Sequence, residues 1–362
     1  MARISLGEGD SAPEQTTMRV MEIRDAWGLE HLKPGDRPDP TPGPWEVVIR
    51  IDAASVNYRD LVMAGRGYGR RSGELPLIPV SDGAGIVVST GPGVTRVAVG
   101  DLVCPNFAQA WIEGPLREEY WTGMLGGPRD GVLQELMLLH EDGVVKAPAH
   151  LDAVQAAALP CAALAAWNAV VVVGKVKPGD VVLTQGTGGV SLFALQFAKT
   201  LGAFVIITSS SDEKLSRIRQ LGADETINYV TTPDWGKRAR EIAGGDGVDV
   251  VIDLAGQVND SLRAVRTSGT VVLIGVLASG TAELQLGSAV TREIRLRGIA
   301  VGSRAMFEDM MRAIALHRLK PTLQVSKHSF EGAAEVIRSL TKGSHYGKIC
   351  MRGWSAGAQG VD

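Results

Sequence analysis

Two groups of residues in this 362-residue chain have types and spacing suited to chemistry. The first is Gly186-Thr187-Gly188-Gly189-Val190-Ser191, set between an uncharged β-branched and aliphatic run at 181–184 and an apolar-periodic stretch at 192–201. Glycines permit a turn too tight for a Cβ. Unpaired N–H groups at the start of the next helix then converge, with the positive end of its dipole, where a pyrophosphate fits. Ser191 replaces the third glycine of the dinucleotide pattern, so the turn alone is a weak signal, and similar turns occur in proteins that bind no dinucleotide. A second strand at 204–208 completes a βαβ unit and supplies the context.

The end of that second strand selects the cofactor. An acidic residue there would accept hydrogen bonds from a ribose 2′-OH and repel a 2′-phosphate. The chain has Thr208-Ser209-Ser210-Ser211-Asp212-Glu213-Lys214 instead. Ser209 and Ser210 can donate to phosphate oxygens and Lys214 adds a compact positive charge, which favours NADP(H) over NAD(H). The serines equally suit capping of a helix that begins near Asp212, and the two roles are compatible. The second chemical group is Asn57-Tyr58-Arg59-Asp60, which brings together an amide, a phenol and a pair of opposite charges.

The elements able to hold these groups follow from the hydrophobic pattern. Residues 1–17 are polar and aperiodic, and 354–362 are small and glycine-containing, so both ends are expected to fray. Short strands broken by Pro and Gly at 45–51, 84–90, 102–104 and 133–139 predict a β-rich domain. Near Asp152 the texture changes to an Ala-rich helical stretch at 153–173. Strands then alternate with helices: strands at 181–184, 205–208, 248–253, 270–276 and 295–300, helices near 191–201, 212–221, 234–243, 259–265 and 307–315. This predicts a doubly wound parallel α/β sheet. The tail adds a helix at 330–340 and a strand at 348–351 that return to the first domain.

With 45% hydrophobic residues the chain can build two cores of ordinary size. Its 37 basic and 40 acidic residues leave a net charge of −3 without a basic run, which argues against a nucleic-acid partner and for a small molecule. The sequence shows neither a signal-type h-region nor an apolar stretch of spanning length, so a cytoplasmic protein with no membrane partner is expected. Three widely spaced cysteines, Cys104, Cys161 and Cys350, read as free thiols.

From 17 to 352 the chain resembles the medium-chain dehydrogenase/reductase superfamily. The resemblance is carried by Ala53-Ala54-Ser55-Val56-Asn57-Tyr58-Arg59-Asp60, Pro79-Val80-Ser81-Asp82-Gly83-Ala84-Gly85-Ile86-Val87, Val99-Gly100-Asp101-Leu102-Val103, Leu159-Pro160-Cys161-Ala162 and the glycine turn. It implies a GroES-like β-rich catalytic domain over 1–160 and 304–362, with a Rossmann cofactor domain over 161–303. Zinc-dependent relatives build a catalytic site on Cys, a His followed by Glu, and a later Cys. The matching positions here are Asn57, Ser81 with Asp82, and Cys161, of which only the last is a good ligand. The cysteines of a structural zinc lobe are also missing from 105–132. No zinc is expected.

The chain is most similar to the zinc-independent, quinone-oxidoreductase-like branch, which implies NADPH-dependent hydride transfer to a quinone or an α,β-unsaturated carbonyl compound. Negative charge on the substrate oxygen must then meet hydrogen-bond donors. Asn57 and Tyr58 are the candidates, with a cap role for Asn57 and plain packing for Tyr58 as the alternatives. Tyr68 in the following loop is a candidate substrate contact. Phe107 and Trp111 belong to an aromatic segment at 105–132 that could form an apolar lid or anchor an insertion.

Further cofactor contacts are implied by the resemblance. Gly186, Thr187, Gly188, Gly189 and Val190 would meet the pyrophosphate, Tyr229 the 2′-phosphate, Gly275 and Val276 the nicotinamide riboside, and Val301 and Ser303 the ring. Lys348 is one more candidate. Leu164-Ala165-Ala166 lacks a threonine that many relatives place near the nicotinamide amide. Two other readings compete: a zinc-free alcohol dehydrogenase, carbonyl or enoyl-thioester reductase, and a non-catalytic NADPH-binding sensor or structural protein. A homodimer is expected, joined through the apolar strand at 270–277.

Overall fold

In the computed structural model, which describes residues 16–275, 281 and 283–354, the chain forms a two-stranded sheet and two larger sheets, the larger ones joined by an Ala-rich helical run. The first of these runs in the order Leu323–Val325, Lys348–Arg352, Glu46–Val56, Asp82–Thr90, Leu102–Pro105 and Val144–Lys146, with Leu136–His140 also on Glu46–Val56. Its long strand Glu46–Val56 is buried along most of its length because neighbours cover both faces. A hairpin of Thr17–Ile23 and Leu32–Pro38 stands beside it.

The second sheet is wholly parallel, in the order Glu225–Asn228, Phe204–Ser209, Val181–Gln185, Val248–Asp253, Val265–Leu273 and Arg295–Gly298. Counted along the chain this is 3-2-1-4-5-6, which reverses between Val181–Gln185 and Val248–Asp253 and opens a crevice at their carboxyl ends. The helix Gly189–Thr200 leaves that crevice. Helices Asp212–Gln220, Trp235–Ile242, Val258–Ala264 and Leu286–Thr291 complete the crossovers.

The Ala-rich stretch is α-helical at Ala153–Ala157 and Leu164–Trp167, but wider π turns occupy Leu159–Ala163 and Asn168–Val173. Pro160 removes one N–H from the first π turn, and such turns often mark functional positions. Its small side chains let both sheets approach. One apolar cluster runs from Ala53 and Ala84 through Leu159 and Leu164 to Val182, Ile252 and Phe307.

The strand expected at 270–276 starts earlier, at Val265, and pairs on both sides. It is therefore not the sheet edge proposed for a dimer. Its uninterrupted apolar run marks a central strand covered on both faces, and the exposed edge is Arg295–Gly298. Among the described residues no helix is long and apolar enough to cross a membrane.

Candidate active site

The glycine turn sits at the mouth of the crevice. Gly186 has φ +77, a left-handed value that suits glycine, and a Cβ there would enter open space. Its N–H is tied to the Thr208 carbonyl at 2.8 Å. Gly188 caps the helix Gly189–Thr200 without a side-chain acceptor, so first-turn N–H groups remain for an anion. Ser191, at the position of the missing glycine, is fully buried with its hydroxyl donating back to the Gln185 carbonyl. The substitution costs the turn no unsatisfied group. Open space above a glycine turn and free helix donors fit a dinucleotide pyrophosphate, with Thr187 and Val190 beside it.

At the neighbouring strand end, Ser209 is buried and accepts from the Ser211 N–H at 3.3 Å, whereas Ser210 is exposed. Ser211 caps the helix Asp212–Gln220 by accepting from the Lys214 N–H. Tyr229 donates its backbone N–H to the Ser209 carbonyl at 3.1 Å, which brings its half-exposed ring to the same corner. The Lys214 ammonium donates to the carbonyls of Gly343 and His345 at 2.9 and 3.2 Å. It thus pins the C-terminal loop against the cofactor side. His345 faces Gly188 from that loop, and burial, with help from Lys214 and Lys348, pushes its imidazole down and keeps it neutral.

The opposite wall comes from the first sheet. Ile349 pairs with Val56, and Ser55 pairs with Asp82, so three strand ends bring Lys348, Asn57 and Asp82 together. The Lys348 ammonium donates to Asn57 Oδ1 at 2.6 Å and to the Val56 carbonyl at 2.7 Å, and lies 3.7 Å from Asp82 Oδ2. Lys348 is only 3% exposed. Its stem crosses the dinucleotide turn, since a Cβ on Gly189 would come 2.5 Å from Lys348 Cδ. Its stem therefore lies over the turn, and its charge points to Asn57.

Asp82 is buried among donors: Ser81 Oγ at 2.9 Å, the Cys161 N–H at 3.2 Å, and Lys348. The Asn57 amide nitrogen stands 3.5 Å from Ser81 Oγ. Asn57 also starts the helix Tyr58–Ala64, its N–H donating to Asp60 Oδ2 at 2.7 Å, so it fills the cap position. Burial pushes Asp60 up from the usual 3.8 to about 6, against the pull of Arg59 and the Asn57 N–H. Burial likewise raises Asp82, with Lys348 the main opposing influence. Burial first, then the Asp82 charge, raises the Cys161 thiol, which leaves it an inert thiol.

Arg59 closes this wall. It donates to the carbonyls of Leu125 and Gly127 and stacks 4.7 Å from the centre of Phe107. Phe107 is 4% exposed and supports Arg59 from behind. Trp111 is buried in the shared core, stacks on Tyr120, and donates its indole N–H to the Gly114 carbonyl. Backbone bonds from Arg304 and Ala305 to Trp111 and Ile112 fix this segment to the helix Arg304–His317. That makes Trp111 an anchor of the segment. Tyr58 and Tyr68 are the exposed aromatics here, at 48% and 44%. Burial raises the Tyr68 phenol, with Arg59 opposing.

Gly275 is required where the chain crosses Leu254, whose carbonyl would lie 2.3 Å from a Cβ; Val276 lies outside the described residues. Val301 is buried, its carbonyl accepting from Asn168 at 2.9 Å, and Ser303 caps the helix Arg304–His317. Sequence reasoning missed Gln185, whose Oε1 accepts from the N–H groups of Leu254 and Ala255 and ties the two strand ends that frame the crevice. It also missed His345 and the Asp82–Lys348 pair. Only the step from Gly347 to Lys348 hinted at them.

This donor set does not suit zinc. Asn57 and Ser81 are poor ligands, and an ammonium already lies within bonding distance of Asn57. Among the described residues no group of three or more His, Cys, Asp or Glu is placed to hold a metal. A GroES-like sheet and a dinucleotide-type sheet sharing one crevice define an oxidoreductase.

Residues 43–149 match the family model of the alcohol dehydrogenase GroES-like domain, and residues 189–316 that of zinc-binding dehydrogenase. A zinc-type alcohol dehydrogenase-like protein of Schizosaccharomyces pombe is 38% identical over 334 residues, spanning 90% of this chain and 96% of its own. A 2-haloacrylate reductase of Burkholderia sp. is 34% identical, spanning 83% of this chain and 91% of its own. The crystal structure of an NAD-dependent alcohol dehydrogenase superposes with a TM-score of 0.83 at 34% identity, covering 92% of this chain and 99% of that one. The chain belongs to the medium-chain dehydrogenase/reductase superfamily.

Proposed function

We propose that this protein is a zinc-independent, NADPH-dependent reductase of α,β-unsaturated carbonyl compounds or quinones. The observation that carries the reading is the Asn57 amide beside the glycine turn, at a position where zinc-dependent relatives place a ligand, its oxygen held by Lys348 and its nitrogen set on the opposite side, near Ser81 Oγ. The balanced reaction for an enone consumes NADPH and one proton and yields NADP+ and the saturated carbonyl compound. When bound, the cofactor supplies the hydride.

The chain supplies everything else. Gly186, Thr187, Gly188, Gly189 and Val190 hold the pyrophosphate; Ser209, Ser210, Lys214 and Tyr229 receive the 2′-phosphate; Gly275, Val301 and Ser303 flank the nicotinamide end. Asn57 donates to the substrate oxygen as negative charge develops there. Tyr58, half-exposed at the first position of its helix, delivers the proton, and Tyr68 borders the substrate. The similarity to a 2-haloacrylate reductase supports reduction of a conjugated double bond. The similarity to alcohol dehydrogenases keeps metal-free carbonyl or alcohol chemistry as the second reading. The same proposal includes a cytoplasmic protein, the division 1–160 with 304–362 and 161–303, and a homodimer, now assigned to the exposed edge Arg295–Gly298.

The test is cofactor oxidation with NADPH and NADH in parallel against quinones, enones and aldehydes, together with NADP+ and alcohols. Turnover of enones or quinones with NADPH is expected. Alcohol oxidation alone would move the reading to the second activity, and tight NADPH binding with no turnover would make the protein a binding module.

A further inference from the structure

A cation lies buried where the two sheets meet, and its three N–H groups are all directed inward. Lys348 Nζ has Asn57 Oδ1 at 2.6 Å, the Val56 carbonyl at 2.7 Å and Asp82 Oδ2 at 3.7 Å. With 3% exposure it has no free proton to offer a substrate. Its partners settle the orientation of the Asn57 amide, because an ammonium only donates and so must face the oxygen. The Nδ2 group is thereby turned away from Lys348, toward Ser81 Oγ at 3.5 Å and the Asp82 carboxylate.

We infer that Lys348 is the positioning residue of this site: its ammonium fixes the Asn57 amide with Oδ1 toward Lys348 and Nδ2 on the opposite side, and stands in for the charge that a metal would provide. The inference rests on the reductase reading above. Its physical core is competition for the amide. Without the ammonium, the Val56 carbonyl loses that donor beside the Asn57 amide, and it would draw the Nδ2–H to itself. The amide would then present its oxygen to the substrate, and an acceptor facing a developing oxyanion repels it. Lys348 prevents this by donating to the Val56 carbonyl and to Oδ1 together. The path for its stem exists because residue 189 is glycine.

The experiment compares wild type, K348M, K348Q, N57A and the N57A/K348M double variant, with folding checked by circular dichroism and NADPH affinity by fluorescence. K348M is expected to lower kcat for an enone about 100-fold, the scale of a misplaced catalytic donor, with the NADPH Kd within about twofold. K348Q, which keeps a donor for Oδ1 without the charge, should recover part of that loss. The double variant should be no slower than N57A alone, because both changes remove one function.

A K348M kcat within about threefold of wild type overturns the inference, as does a double variant in which the two losses multiply. Loss of NADPH affinity that matches the loss of kcat also overturns it, since that would make Lys348 a cofactor contact. If the wild type turns over no enone or quinone, the reductase reading falls instead. Wild type, K348M, N57A and the double variant then test the Lys348–Asn57 coupling by thermal unfolding: non-additive Tm shifts support it, and additive shifts overturn it.

Discussion

The dinucleotide turn and the Asn57–Lys348 cluster meet at one short parallel bridge, Gly188 to Gly347, yet they are built on opposite principles. The turn is contiguous in sequence, open, and leaves backbone donors unpaired at a helix start. The cluster draws on four distant segments, at 56–60, 81–82, 161 and 348, and buries two carboxylates and an ammonium with nearly every polar atom partnered. An anion site gains from donors left free, because the ligand completes them. A site that must aim a single amide gains from leaving that amide no second orientation.

The contrast predicts that substitutions in the cluster affect stability and turnover, whereas those at the turn affect affinity. The largest effect is expected for Asp60→Asn. Asp60 ionises near 6 in the fold against 3.8 ordinarily, so its ionised form is disfavoured by folding. Its contribution to stability is greatest below about pH 4 and is lost as pH rises through 6. The stability of D60N relative to wild type should therefore rise by about 3 kcal/mol between pH 4 and 7, read from denaturant melts at each pH. A difference independent of pH would show that Asp60 is not desolvated as the geometry implies.

Next comes Asn57→Ala, expected to lower enone turnover about 100-fold with NADPH affinity nearly unchanged, by steady-state kinetics and fluorescence titration. An unchanged rate would remove Asn57 as the donor and dissolve the contrast. Gly186→Val should do the reverse: a Cβ in the open space and a strained φ should weaken NADPH binding roughly 10-fold while kcat at saturation changes little. The smallest effect is expected for Lys214→Ala, a loss of about threefold in NADPH affinity with NADH unaffected. Equal weakening of both cofactors would assign Lys214 wholly to the carbonyls of Gly343 and His345.

The turn was legible because its determinants are neighbours in the chain. A β-branched run, glycines and an apolar-periodic stretch specify strand, turn and helix without reference to anything distant, and 181–208 folds as read. The parallel sheet was legible for the same reason. Its edge was not, since the apolar run after Thr270 looks alike whether a further strand covers it or a second molecule does. Glu225–Asn228 escaped notice because four mixed residues carry too little periodicity to mark a strand.

In the cluster, residue types signalled chemistry but not direction. Asn57 was identified, and Lys348 was placed near the cofactor, but which way its ammonium points depends on the register that sets Ile349 against Val56. Trp111 could have been a lid or an anchor on composition alone. Its burial against Tyr120 and the helix Arg304–His317 gives the anchor.

By itself the sequence determined two sheets, a dinucleotide turn and a poor donor set at the zinc positions, because these depend on local pattern and on which atoms each side chain carries. The tertiary structure alone decided that a buried ammonium faces Asn57 and that Asp82 needs it. Such pairings depend on the register of strands nearly 300 residues apart in the chain, and desolvation of a charge exists only once those strands have met.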